Sequence, residues 1–235
     1  MSKLIHLELK RNHLKSYNIA VLIITIIMLG LIYFFAAIPK IDPNESDLEL
    51  FTSYTFLIGF NHIISMAIFS ILSAVLASKF IVEEYASKKA ILLFSYPTSR
   101  RKILDVKMFV VFAYTVCCMV ISNVAILIVF LITESIVTLC PDRVTISMII
   151  KSILLLLCYS MMSGFLGIIS LWIGFYKRSI VATIIAACIM VVLMCQIMAI
   201  SISFTPILIG IFAVVCIIAL LGRRSLCLQI EKMEV

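Results

Sequence analysis

Six long apolar runs constrain this chain more than any other feature of its sequence. A run of about 20 apolar residues, wound as an α-helix, crosses the roughly 30 Å hydrocarbon core of a bilayer. Hydrophobic residues make up 64% of the 235 residues and charged residues only 13%, whereas soluble domains carry about a quarter charged residues. An aqueous core of this size could not bury that excess. The predicted spans are 17–38, 52–77, 108–133, 146–176, 180–200 and 206–222.

The predicted fold class is therefore all-α, a polytopic membrane protein whose six transmembrane helices form one domain, 17–235. Of the 19 Lys and Arg residues, 16 lie in the N-terminal segment, the 78–107 loop, the 177–179 turn and the C-terminus. Cytoplasmic loops carry the excess of Lys and Arg in membrane proteins. We therefore predict that both the N- and C-termini are cytoplasmic.

Local signals predict how individual helices begin and end. Residues 1–16 mix leucines with charged side chains, which predicts an amphipathic interfacial helix before the first span. Pro39 is predicted to end the first span. Thr205 is predicted to cap the sixth span and Gly222 to stop it.

The motifs that carry catalysis are absent from the sequence. No G-x-x-x-x-G-K-[ST] occurs, so the chain has no P-loop for a nucleotide, and H-E-x-x-H and G-x-S-x-G are absent too. The twelve acidic residues lie outside the apolar cores or at their edges, and the eight cysteines form no C-x-x-C pair. We predict no catalytic residue, no metal site and no cofactor bound by this chain. The basic residues flank apolar runs, which indicates helix anchors rather than a nucleic-acid surface.

The loop 83–107 carries the most specific local pattern. Glu83 and Glu84 suit the N-terminus of a short amphipathic helix through the helix dipole, and Glu84 can pair with Lys88 at i,i+4 spacing. Pro97 then disfavours helix in the residue before it. Physical chemistry alone favours a helix lying among lipid headgroups and leaves docking onto another protein open.

The same loop resembles the cytoplasmic loop of ABC-2-type transporter permeases. Members of that family often show E-E-x-x-x-G-T-x-E-x-L-L-x-x-P-x-S-R, followed by a lysine at the start of the third span. The matching positions here are Glu83-Glu84-Tyr85, Leu92-Leu93, Ser95-Tyr96-Pro97, Ser99-Arg100 and Lys107. Lys88 and Lys89 stand where Gly-Thr is common, and Ile91 stands where Glu is common.

The resemblance implies the permease subunit of an ATP-driven transporter in a bacterial cytoplasmic membrane, an exporter of a peptide, an antimicrobial compound or a lipid-like substrate. Such permeases pair with a second permease half, a copy or a paralogue, and with separate ABC ATPase subunits that bind ATP and Mg. The loop would be the coupling helix that enters a cleft of the ATPase. Its candidate contacts are Glu83, Glu84, Lys88, Lys89, Leu93 and Phe94.

Two other functions stay open on the residues alone. One is a secondary transporter, which would use an embedded carboxylate or a broken helix at mid-depth, and the sequence indicates neither. The other is an ATPase-independent assembly or immunity factor, which would only bind a partner.

Several polar side chains lie at membrane depth, where each is costly unless it is hydrogen-bonded. Interhelical hydrogen bonding is the favoured interpretation for each one alone, and a translocation pathway lined by several of them is the alternative. These candidates are Asn61, His62, Asn123 and Gln196.

The fourth span carries small residues at four-residue spacing, a pattern typical of close helix packing in membranes. We favour packing within this subunit over a dimer contact. The residues concerned are Ser160, Ser163, Gly164 and Gly167.

Overall fold

Six long helices make up the described part of the fold. The computed structural model describes residues 5, 8, 15–41, 53–86, 99–136, 145–201 and 205–231. The helices are α1 (Lys15–Ile41), α2 (Tyr54–Ala77), α3 (Arg100–Ile136), α4 (Ile146–Tyr176), α5 (Ile180–Ser201) and α6 (Thr205–Glu231). Each contains a stretch long and apolar enough to cross a membrane. The prediction of an all-α protein with six spans is therefore confirmed.

Two segments extend α2 beyond its last residue. A π-helical segment, Ser78–Val82, follows directly, and an α-helical turn, Glu83–Ala86, ends the described part of this helix. The predicted interfacial helix 1–16 lies outside the described residues, apart from Ile5, Glu8 and the first two residues of α1. The cytoplasmic location of both termini stays a prediction.

Two predicted helix ends were wrong. α1 ends at Ile41, two residues beyond Pro39, because the lost N–H and the clash of the proline ring with the carbonyl four residues back weaken the last turn without breaking the helix at the proline itself. α6 runs through Gly222 to Glu231. A Cβ on Gly222 would meet the ring of Trp172 at 3.3 Å, so this glycine allows close contact with α4 and does not stop its helix.

α2 and α4 form the centre of the bundle. In their most apolar stretches 67% and 56% of the residues are buried, against 17% for α1 and 22% each for α5 and α6. The outer helices present large apolar side chains outward, for example Ile23 and Ile26 of α1 and Val192 of α5. A surface of this kind suits a hydrocarbon solvent.

Small residues of α4 allow its neighbours to approach. A Cβ on Gly167 would lie 2.6 Å from Ser73 Cβ of α2, and one on Gly174 would lie 2.7 Å from Thr183 Cα of α5. A Cβ on Gly164 would meet the ring of Phe112 of α3 at 2.5 Å. Ser160 and Ser163 are buried and donate hydrogen bonds to carbonyls of their own helix. All four predicted packing residues thus face the interior of this subunit.

Candidate functional site: a buried ion cluster and a buried polar network

Lys107 of α3 is a charged side chain in a buried position, with only 1% of its surface exposed. Its ammonium donates to Glu84 Oε2 at 2.7 Å, to the Phe80 carbonyl at 3.0 Å and to Glu8 Oε2 at 3.4 Å. An ammonium has three N–H donors, so these three acceptors match its capacity. A buried charge is tolerated when it is paired and hydrogen-bonded in this way.

The π-helical segment supplies one of these acceptors. Between Ser78 and Val82 the helix widens, and the Glu83 N–H donates to the Ser78 carbonyl five residues back. The Phe80 carbonyl lies inside this segment and accepts from Lys107. Single turns of π-helix are rare and are frequently found at functional sites. The π-helical segment is therefore a second indication, independent of the charged residues, that this region is a functional site.

The ion cluster of Lys107, Glu84 and Glu8 joins three parts of the chain. Glu84 lies just before the 87–98 segment, Lys107 lies nine residues after its end on α3, and Glu8 belongs to the N-terminal segment. The cluster thus holds together the two ends of the segment that the sequence predicts to be the coupling loop. Two further ion pairs, Asp105–Arg223 at 2.8 Å and Arg101–Glu231 at 3.9 Å, tie the same end of α3 to α6.

The structure describes only part of the predicted coupling set. Glu83 and Glu84 lie on the last turn of the α2 extension, and the Glu84 carboxylate is engaged by Lys107 inside the protein. Lys88, Lys89, Leu93 and Phe94 lie outside the described residues. The sequence assigned Glu84 to an outward contact and missed its bond to Lys107, although both residues stand in the loop motif.

A second polar site lies within the membrane-spanning part, where α2, α3 and α4 meet. Asn61, His62 and Ser65 of α2 surround the amide of Asn123 on α3, and all four are buried. Asn61 Nδ2 donates to Asn123 Oδ1 at 3.0 Å, and Ser65 Oγ donates to the same oxygen at 3.1 Å. Ser152 of α4, also buried, completes this polar network through a contact of 3.1 Å between its Oγ and His62 Nε2.

The contacts of His62 determine how a neutral ring is protonated. Its Nδ1 lies 3.3 Å from Asn123 Oδ1, which is an acceptor because the Asn123 amide nitrogen donates to the Met119 carbonyl at 3.0 Å. We therefore assign the proton to Nδ1. Nε2 is then the acceptor, and the Ser152 hydroxyl donates to it. Every polar atom of the ring has a partner, and the network links three helices.

The network unites three of the four predicted pathway residues. Asn61, His62 and Asn123 meet within hydrogen-bonding distance, whereas Gln196 is exposed on α5 and takes no part. Ser65 and Ser152 were not predicted. The chain has many serines in its spans, and no spacing distinguishes these two from the others.

Fold and sites together define a multi-pass α-helical membrane protein in which an ion cluster joins the helical residues on either side of the 87–98 segment. The family model described as "ABC-2 family transporter protein" matches residues 4–194. The chain therefore belongs to the ABC-2 transporter family. Members of this family are membrane transport components, are not themselves catalytic, and generally pair with an ATPase and dimerise.

One curated relative gives an independent comparison. The chain is 31% identical over 107 residues to "Uncharacterized protein YcbO" of Bacillus subtilis (strain 168). The aligned part covers 46% of this chain and 45% of that relative, so it spans less than half of either protein. No solved structure matches the chain.

Proposed function

We propose that this chain is the permease subunit of an ATP-driven exporter in a bacterial cytoplasmic membrane, and that ATP and Mg bind to a separate ATPase. Family membership supports the permease role. The observation that carries the proposal further is the buried ion cluster at the base of the 87–98 loop. An ATPase in the cytoplasm can move the spans only through a segment that is firmly attached to them.

The ion cluster offers that attachment. A push on the loop would act on Glu84 and the end of the α2 extension on one side, and on Lys107 and α3 on the other. Hydrogen bonds to a charged group contribute about 1.5–3 kcal/mol each. They hold the end of the α2 extension against α3 more firmly than a connecting loop without such bonds would. α2 and α3 would therefore move together when the ATPase closes.

The polar network extends this coupling to α4. The polar side chains of the network are buried and hydrogen-bonded to one another, which favours a role in holding the helices together over a role in lining a solvated pathway. The path of the substrate would then lie at the face shared with a second permease half. Gln196 supports α5 as part of that face, because an amide exposed to hydrocarbon is costly and a protein partner or a water-filled path would remove the cost.

Association with an ATPase is the direct test of this proposal. We expect the permease to co-purify with an ABC ATPase of the same organism when the two are co-expressed. We expect Leu93→Asp combined with Phe94→Asp to abolish co-purification while the permease stays in the membrane. Two aspartates would replace the apolar anchors of the coupling helix with charges that resist burial. The matched control is Ile136→Asp combined with Ile146→Asp, which places the same two charges on exposed side chains at the ends of α3 and α4, away from the predicted coupling loop and from the face of α5.

The result separates the candidate functions. Loss of co-purification in the loop variant alone supports the coupling role of the loop. Full association and full permease-dependent ATP hydrolysis in the loop variant would refute that role. A wild-type chain that binds no ATPase would favour the ATPase-independent alternatives.

A further inference from the structure

A half-open apolar groove of about 410 Å³ lies between α3, α4 and α6, with Ile5 of the N-terminal segment also on its wall. Its volume is within the range of about 300–1,000 Å³ that is typical of ligand sites. Apolar side chains from the three helices form most of its wall. They include Val106, Phe109, Phe112, Phe165, Ile168 and Leu220.

The rim of this groove is basic. An adjoining cavity of about 470 Å³ shares Leu220 and Arg223 with the groove and adds Arg101 and Arg224. Arg223 donates to Asp105 through Nε at 2.8 Å, so its terminal NH₂ groups keep donors for a ligand. Arg224 is exposed, and no described carboxylate lies within ion-pair distance of it.

Rim and wall lie at different depths. Arg101, Arg223 and Arg224 lie where the apolar runs of α3 and α6 give way to charged residues, which is the level where helices leave the bilayer. Phe112 and Phe165 lie within the predicted spans, at the level of the acyl chains. The arginines of the rim therefore lie at the depth of the lipid headgroups, and the apolar groove next to them lies at the depth of the acyl chains.

We propose that the groove binds an anionic phospholipid of the cytoplasmic leaflet, with its phosphate on the arginines and an acyl chain between α3 and α6. Basic pockets between transmembrane helices on the cytoplasmic side bind anionic headgroups. Among the described residues of the rim, three arginines outnumber the two carboxylates, Asp105 and Glu231, and this balance favours an anionic headgroup over a zwitterionic one. The proposal rests on the predicted orientation and not on the coupling to an ATPase.

The probe for this site is phosphatidylglycerol, compared with phosphatidylcholine of the same acyl chains. The full-length protein, purified in detergent, would be titrated with each lipid, and bound lipid would be counted by native mass spectrometry. We expect phosphatidylglycerol to bind more tightly. Arg224→Gln should weaken its binding about fivefold, because one arginine near an anionic surface contributes about that factor.

Two further variants make the test specific. Leu220→Trp adds bulk to the shared wall at a half-exposed position, and should displace the acyl chain without changing the rim charge. Arg178→Gln is the matched control, because it removes an exposed arginine from the 177–179 turn, away from the groove. It should leave phosphatidylglycerol binding unchanged.

The outcomes decide the proposal. Selective loss of phosphatidylglycerol in Arg224→Gln and Leu220→Trp, with binding intact in Arg178→Gln, supports it. Equal binding of the two lipids, or equal losses in all three variants, overturns it. Inorganic phosphate that competes as well as the intact lipid would overturn the acyl-chain site. Crosslinking of cysteines placed at Leu220 between two copies in lipid-containing membranes would overturn it in favour of a dimer contact.

Discussion

Replacing Lys107 with Met is expected to lower the free energy of unfolding by about 3 kcal/mol. Methionine keeps much of the side-chain length but removes the ammonium and its three hydrogen bonds. Glu84 and Glu8 would then lose their contact with this ammonium in a site where only 16% and 12% of their side chains are exposed. Removing one partner of a buried ion pair costs about 3–5 kcal/mol. The lower end applies because some water reaches both carboxylates.

A double-mutant cycle separates the ion pair from general damage. Glu84→Leu alone leaves Lys107 with Glu8 and the Phe80 carbonyl, so a loss of about 2 kcal/mol is expected. The double variant, Lys107→Met with Glu84→Leu, should recover at least about 1 kcal/mol of the summed losses, because an apolar pair replaces a broken one. Denaturant-induced unfolding in detergent micelles measures all three values.

Lys102→Met is the matched control on the same helix, because Lys102 is exposed, and its effect should stay within about 0.5 kcal/mol. A Lys107→Met protein as stable as this control would refute the role of the ion cluster as a structural clasp. Additive single effects would show that Lys107 and Glu84 do not stabilise the loop base together. Either result would also remove the main support for the coupling mechanism.

Two further predictions concern packing and the polar network. Gly167→Ala should lower the free energy of unfolding by about 1–3 kcal/mol, because the new methyl group would overlap Ser73 and force α2 and α4 apart. Gly210→Ala, where a Cβ meets nothing within 4 Å, should be neutral or stabilising by up to about 1 kcal/mol. Thermal unfolding of both variants measures the difference, and equal effects would contradict the packing role of Gly167. Asn123→Leu removes the acceptor of three donors and should cost about 2 kcal/mol, at about 0.6 kcal/mol for each interhelical bond. Gln196→Leu, at an exposed position, should cost nothing in the isolated chain, and an equal loss in both leucine variants would argue against the polar network.

The sequence predicted the helices well because hydrophobic run length is a strong signal in a bilayer. A span must reach across the hydrocarbon core whatever it contacts, so length and composition suffice to find it. The predicted fourth span, 146–176, coincides with α4. Helix ends were predicted less well, since Gly222 lies within α6 as a contact residue, a role that only the position of Trp172 reveals.

The sites were harder to predict because spans are apolar on all sides. A soluble helix shows its buried face through an apolar stripe, whereas a transmembrane helix faces lipid with the same residue types that it buries. The sequence therefore identified Asn61, His62, Asn123 and Gln196 as polar but could not indicate that Gln196 points away from the rest. The bond between Lys107 and Glu84 likewise depends on how two helices are rotated.

The π-helical segment Ser78–Val82 has an evolutionary consequence. A π-turn is equivalent to an α-helix that has gained one residue, and one residue turns an α-helix by about 100°. Because the wider turn takes up the extra residue, deleting one residue here, such as Ile81, would restore a regular helix and leave the Glu84 carboxylate facing Lys107. A deletion after the segment, where no wide turn compensates, would instead rotate Glu84 by about a quarter-turn. The segment would therefore let a lineage gain or lose one residue ahead of the coupling loop while the contacts on either side of it stay unchanged.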